Sequence, residues 1–212
     1  MYILNNSVNF PPVILADEDG LLAIGGDLST DRLLKAYNSG IFPWYNEDQP
    51  ILWFSPDPRM VLFPDDVKIS KSMQQVLRKN HFSVTFNKDF EQIIDNCATI
   101  YRPDQLGTWI TQDMKRAYIK LHKMGYVISA EVWQNKELVG GLYGIWLADK
   151  KVFCGESMFT KVSNASKYGF IKLIELLKQK DVKLIDCQVY TDHLASLGAK
   201  EIPRDAFMEF LK

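Results

Sequence analysis

Asp186 and Gln188 place a carboxylate and an amide two residues apart inside the apolar run Leu184-Ile185-Asp186-Cys187-Gln188-Val189. Side chains alternate faces along a strand, so the two polar groups are expected on one face and Ile185, Cys187 and Val189 on the other. Burying an unpartnered carboxylate is costly, so this Asp is either satisfied by backbone amides at the strand end or used in chemistry. A second buried carboxylate is expected at Glu156, in Val152-Phe153-Cys154-Gly155-Glu156-Ser157-Met158-Phe159, where Gly155 permits close backbone approach. Two carboxylates on one sheet suit general acid–base work, or one base and one orienting group. Lys68, Lys71, Gln75 and Arg78 recur at offsets of three, four and three, with Lys79 close by, so they read as a basic stripe along a helix. Such a stripe is ordinarily a solvated face; with a partner, it suits contact with nucleic-acid phosphates. The segment Ile41-Phe42-Pro43-Trp44-Tyr45 to Ile51-Leu52-Trp53-Phe54 is too apolar for a linker. Its Trp residues are either packed or wall a pocket that stacks a planar ligand such as a base.

Elements that position these groups can be read from periodicity and breakers. Residues 1 to 26 are strand and loop, and Asp27-Leu28-Ser29 caps a helix that ends at Gly40. A short strand at 61–63, a helix from Ser70 to Asn80, a strand at 82–86 and a helix at 90–98 follow. A loop containing Arg102-Pro103 and Gly107-Thr108-Trp109 leads into a helix from Thr111 to Met124, stopped by Gly125. Residues 126–134, 138–147 and 151–159 read as successive strands separated by the turns Asn135-Lys136 and Asp149-Lys150. A helix over 164–180, the Asp186 strand, and short helices near 193–197 and 205–211 complete the chain. Phe170, Leu173, Ile174 and Leu177 fall at core spacing on the 164–180 helix. The expected fold is α+β: a small N-terminal α/β domain, residues 1–100, and a C-terminal domain, residues 101–212, with a mostly antiparallel sheet.

Composition bounds the function. The 212 residues carry 25 Lys plus Arg against 26 Asp plus Glu, so bulk charge points to no polyanionic partner, while 47% hydrophobic content suits globular domains. Cys97, Cys154 and Cys187 lie far apart without a CxxC pair, as reduced core cysteines do. Neither a signal peptide nor a membrane-length apolar run is expected, which places the chain in the cytoplasm. No metal-ligand spacing and no P-loop occur, so no metal and no cofactor are expected.

The order of strands, central helix and following strand resembles the N-acetyltransferase-like fold. Coenzyme A enzymes of that fold carry a Gly-rich turn at the start of the central helix, whose backbone amides grip the pyrophosphate. The corresponding stretch here, Thr160-Lys161-Val162-Ser163-Asn164-Ala165-Ser166-Lys167, has no such glycines, so a coenzyme A donor is disfavoured.

Several motifs occur in order: Gly25-Gly26-Asp27-Leu28, Gly40-Ile41-Phe42-Pro43-Trp44, Trp53-Phe54-Ser55-Pro56-Asp57-Pro58-Arg59, Gly107-Thr108-Trp109-Ile110, Gly155-Glu156-Ser157-Met158-Phe159, Asn164-Ala165-Ser166-Lys167 and Asp186-Cys187-Gln188. Together they resemble the leucyl/phenylalanyl-tRNA–protein transferases over residues 20 to 210. The resemblance implies transfer of Leu, Phe or Met from aminoacyl-tRNA to the α-amine of proteins beginning with Arg or Lys. No ATP would be needed, and the product would be marked for degradation. By the same resemblance Asp186 and Gln188 are catalytic, with Asp186 an electrostatic or basic group acting through the Gln188 amide, which orients the amine. Trp44 and Trp109 would meet the 3′-terminal adenosine and aminoacyl group, and Glu156 would help position the donor. Leu142, Phe153, Phe170, Leu173 and Ile185 would line the side-chain pocket, and Lys68, Lys71, Arg78 and Lys79 would meet the acceptor stem. Thr191 stands where the family pattern leads one to expect Asn. Competing readings are a coenzyme A-dependent N-acyltransferase and a non-catalytic module that holds charged tRNA. A Cys187 acyl-enzyme is disfavoured by the alternation that turns Cys187 away from Asp186 and Gln188.

Overall fold

The computed structural model describes residues 2–100 and 108–212. The expected loop residues Tyr101 and Arg102-Pro103, and Gly107 of the Gly107-Thr108-Trp109-Ile110 motif, lie outside the described residues. In chain order the elements are β1 (Tyr2–Leu4), β2 (Leu21–Gly25), α1 (Thr30–Asn38), β3 (Phe42–Pro43), β4 (Leu52–Phe54), β5 (Arg59–Leu62), α2 (Lys71–Lys79), β6 (Ser83–Phe86) and α3 (Phe90–Thr99). There follow α4 (Gln112–Lys123), β7 (Val127–Gln134), β8 (Glu137–Leu147), β9 (Val152–Thr160), α5 (Ala165–Lys178), β10 (Leu184–Gln188), α6 (Asp192–Ser196), β11 (Lys200–Ile202) and α7 (Arg204–Met208).

Helix starts follow the cap chemistry written in the sequence. Ser29, Ser70 and Thr111 accept the backbone N–H groups of Arg32, Met73 and Met114, satisfying donors that the first helical turn leaves open. Gly125, at φ +85°, ends the turn after α4, a conformation that costs a β-carbon residue steric strain.

The strands form two sheets. The small one runs β1-β2-β4-β3, and the large one runs β11-β5-β10-β9-β8-β7-β6. In the large sheet every adjacent pair is antiparallel except β9 and β10. β5 and β6 belong to this sheet although both precede residue 100, so the change of sheet falls between Phe54 and Arg59.

Helices cover both faces of the large sheet, which is why β8 is buried continuously from Leu138 to Leu147 instead of alternating. On one face α5 presents Phe170, Leu173, Ile174 and Leu177 to Leu142, Phe153 and Ile185. Each of these helix side chains is at most 3% exposed, and such burial stabilises by about 1.5–3 kcal/mol per residue. Gly169 lets the helix sit this close, since a Cβ there would lie 2.6 Å from Val132 Cγ2. On the other face α3 and α4 bury Ile93, Met114, Tyr118 and Leu121 with Tyr143 and Ile145.

One feature of the sheet prepares the site. β10 pairs with β9 only over Leu184–Asp186 against Val152–Cys154, whereas β9 continues along β8 to Thr160. The two parallel strands therefore part after Cys154 and Asp186, and α5 closes the gap from one face.

Candidate active site

Two β-bulges face each other across that gap. In β9 the register against β8 shifts so that Ser157 pairs with Tyr143 and Gly155 with Gly144, leaving Glu156 as the extra residue. In β10 the register against β5 shifts between Asp186 and Gln188, leaving Cys187 extra. A bulge re-aims side chains that strict alternation would send elsewhere. Here it turns Gln188, whose φ is +66°, into the same opening as Glu156.

The opening is a cavity of about 340 Å³, within the range of small-molecule sites. Its deep wall is apolar, built from Leu142, Phe153, Phe170, Ile185, Cys187 and Met158. Glu156 and Gln188 supply polar groups to its lining, which also includes Phe42, Trp44, Trp109, Thr191, His193 and Leu194. Trp44 remains 41% exposed, and Trp109 is half-buried.

Glu156 is held by donors from two separate elements. The Gln188 side-chain amide donates to Oε1 at 3.0 Å, and the Tyr118 hydroxyl donates to Oε2 at 3.0 Å. Tyr118 in turn shares a hydrogen bond with the buried hydroxyl of Tyr37 on α1. Burial pushes the Glu156 carboxyl up to about 8; the Tyr37, Tyr118 and Gln188 hydrogen bonds oppose this, and the nearby Asp186 charge adds to it. A half-buried carboxyl beside an apolar cavity and titrating in this range can accept or return a proton near neutral pH.

Asp186 sits on the opposite side of β10. It is 1% exposed and bound bidentately by Arg59, with Nε to Oδ1 at 2.8 Å and Nη2 to Oδ2 at 2.7 Å. Oδ1 also accepts the backbone N–H of Gln188 at 3.0 Å. Burial alone would lower the Arg59 pKa, but the surrounding negative groups, Asp186 foremost, raise it instead.

The sequence profile described as Leucyl/phenylalanyl-tRNA protein transferase matches residues 61–212, and the profile of that family's N-terminal domain matches residues 26–57. The chain belongs to the leucyl/phenylalanyl-tRNA–protein transferase family. It is an aminoacyltransferase. The leucyl/phenylalanyl-tRNA–protein transferase of Christiangramia forsetii is 62% identical over 211 residues, covering 100% of both chains. That of Flavobacterium johnsoniae is 59% identical over 212 residues, covering 100% of this chain and 99% of its own. Among solved structures, L-PGS from Bacillus licheniformis aligns with TM-score 0.42 at 12% identity over 82% of this chain and 57% of that one. A GCN5-related N-acetyltransferase from Kribbella flavida aligns with TM-score 0.40 at 10% identity, covering 79% and 59%.

The structure of this transferase family member brings together Trp44, Trp109, Leu142, Phe153, Glu156, Phe170, Ile185 and Gln188 around one cavity. It separates others. Leu173 is fully buried and does not line the cavity: it shares the α5 face of Phe170 but sits three residues further along the helix, packed in the core. Asp186 and Gln188 do not share a face, since the bulge at Cys187 breaks the alternation. The carboxylate of Asp186 takes the Gln188 backbone N–H, not its side-chain amide, which goes to Glu156. Cys187 lines the cavity after all, but burial pushes its thiol well above its ordinary range, so no thiolate is available for attack. Lys71, Arg78 and Lys79 are exposed on α2, whereas Lys68 precedes the Ser70 cap and lies off the helix, where its backbone N–H bonds to Leu197 O at 2.9 Å.

Sequence reading missed Arg59, Tyr37, Tyr118 and Met158. Arg59 ends the quoted Trp53–Arg59 motif, yet its partner is 127 residues away, beyond the reach of any local pattern. Tyr118 lies at ordinary core spacing on α4, and only its hydroxyl distinguishes it from a packing residue.

Proposed function

We propose that this chain transfers Leu or Phe, and also Met, from aminoacyl-tRNA to the N-terminal α-amine of proteins beginning with Arg or Lys. The reaction uses no ATP, metal or cofactor, takes place in the cytoplasm and marks the product for degradation. The observation that carries this reading is the apolar cavity between the parted strands with the Glu156–Gln188 pair on its wall. The cavity suits an unbranched-at-Cβ apolar side chain and rejects charged ones through desolvation.

The aminoacyl ester is already activated. The acceptor α-amine, with a pKa of about 8, attacks the ester carbonyl carbon as the neutral amine. The C–N bond forms, the bond to the ribose oxygen breaks, and one N–H proton must reach that oxygen. Glu156 takes the proton from nitrogen and returns it to the leaving oxygen, and Gln188 holds the carboxylate in place for both steps. Asp186 serves this chemistry from behind the strand, through the Gln188 backbone. Trp44 and Trp109 meet the terminal adenosine and aminoacyl group by stacking. Lys71, Arg78 and Lys79, with Lys68 beside the helix, meet acceptor-stem phosphates.

The test is transfer of radiolabelled Phe from charged tRNA to a peptide beginning with Arg, with a Ser-initiated peptide and acetyl-coenzyme A as controls. Transfer to the Arg peptide alone is expected. Acetylation in place of aminoacyl transfer would support the coenzyme A reading instead, and tRNA binding without any transfer would reduce the protein to a carrier.

A further inference from the structure

Gln188 is not glycine, yet it adopts the left-handed backbone region, φ +66°, where a β-carbon costs steric energy. Such a conformation persists only where its surroundings impose it. Here the imposing contact is Asp186 Oδ1, which accepts the Gln188 N–H at 3.0 Å. That same oxygen accepts Arg59 Nε at 2.8 Å, and the guanidinium closes on the second oxygen at 2.7 Å.

Arg59 is itself fixed on every side. Its carbon centre lies 4.9 Å from the Phe42 ring and 4.6 Å from the Phe207 ring, and Nη1 donates to Gly40 O at 3.1 Å. Gly40 precedes the Phe42-Pro43-Trp44 stretch, which flanks the cavity. Position 40 favours glycine, since its φ is +72° and a Cβ would lie 2.6 Å from Met208 Sδ and 3.3 Å from Phe207 Cε1. One buried guanidinium thus ties the turn that carries Trp44 to the bulge that aims Gln188.

We propose that Arg59 is a positioning residue of the transfer reaction: by clamping Asp186 it fixes the Gln188 backbone and so the amide that holds Glu156. This rests on the functional reading above. Arg59 touches no reactant; it acts through Asp186 and Gln188. Lys cannot replace it, because an ammonium lacks the planar fork that binds both oxygens and stacks between rings.

The experiment compares the native chain with Arg59→Lys and with the double variant Arg59→Met/Asp186→Asn. The double variant removes both buried charges together while keeping an oxygen for the Gln188 N–H, so it guards against loss of folding. Each folded variant is assayed for transfer to the Arg peptide and for exchange of the Gln188 amide hydrogen. Expected are a kcat lowered about 10–100-fold, the range found when a supporting partner of a working residue is lost, and a KM for charged tRNA within about twofold of native. In Arg59→Lys the Gln188 amide exchanges faster. A folded Arg59→Lys or double variant with native kcat overturns the proposal, as does native amide protection in Arg59→Lys. If the native chain transfers nothing, the functional reading fails by itself, and the exchange measurement still decides whether Arg59 holds Gln188.

Discussion

Glu156 keeps its proton into the neutral range because burial outweighs the hydrogen bonding that favours its carboxylate. This has a consequence for stability. The carboxyl titrates near 4.5 when unfolded and about 8 when folded, so between those values the folded state binds the extra proton. The stability it contributes is complete below about pH 4.5 and is lost as pH rises through 8. Thermal melts should therefore show the native chain losing Tm between pH 6 and pH 8 relative to Glu156→Gln, which cannot titrate; parallel curves would show that Glu156 ionises normally. The residue itself was legible in the sequence as a carboxylate beside a glycine in an apolar strand. Its partners were not, because Tyr118 and Gln188 reach it from separate elements. The cavity wall makes a second prediction at this scale. Leu142→Phe narrows the deep end, so kcat/KM for Phe transfer should fall at least about tenfold more than for Leu transfer, a discrimination of the size that pocket fit supplies. Equal losses would place the side chain elsewhere.

At the scale of elements, the caps and periodicities were readable and the bulges were not. Ser70 marked the start of α2 and Gly125 the stop after α4, because capping is a local matter of hydrogen bonds and backbone conformation. A bulge is a register mismatch between two strands, so no single strand announces it. That is why alternation placed Asp186 with Gln188 and turned Cys187 away, when the extra residue in β10 does the reverse. The same limit applies to Lys68, whose spacing matched a helix that Ser70 begins only later. For α2, neutralising Lys71, Arg78 and Lys79 together should weaken tRNA binding and flatten the dependence of log affinity on log salt by about two to three; an unchanged slope would remove α2 from the interface. For α5, Gly169→Val forces a side chain against Val132, and overpacking of this kind destabilises by about 1–3 kcal/mol in urea unfolding. Native stability would mean that α5 can move off the sheet.

Across the whole molecule, the cavity is assembled from both sheets. Phe42, Pro43 and Trp44 come from the small sheet and its turn, whereas Glu156 and Gln188 come from the parted strands of the large one. The chain passes from the small sheet to the large one between Phe54 and Arg59, close to where the N-terminal profile match ends at residue 57 and the second begins at 61. The sequence suggested a division near residue 100, and strands β5 and β6, short and separated by a helix, gave no sign that they join the later sheet. In the proposed mechanism the reaction depends on the Glu156 carboxylate, at the meeting point of the two sheets.

The most direct measurement of that dependence is the single-turnover rate of Phe transfer to the Arg peptide, compared between the native chain and Glu156→Gln from pH 6 to pH 9. The acceptor amine ionises alike in both, so its effect cancels in the ratio of rates. The account predicts a ratio that climbs through pH 8 and levels at about 10²–10⁴, the size of a general acid–base contribution. A flat ratio near one would contradict it, and the proton would then have to travel without Glu156.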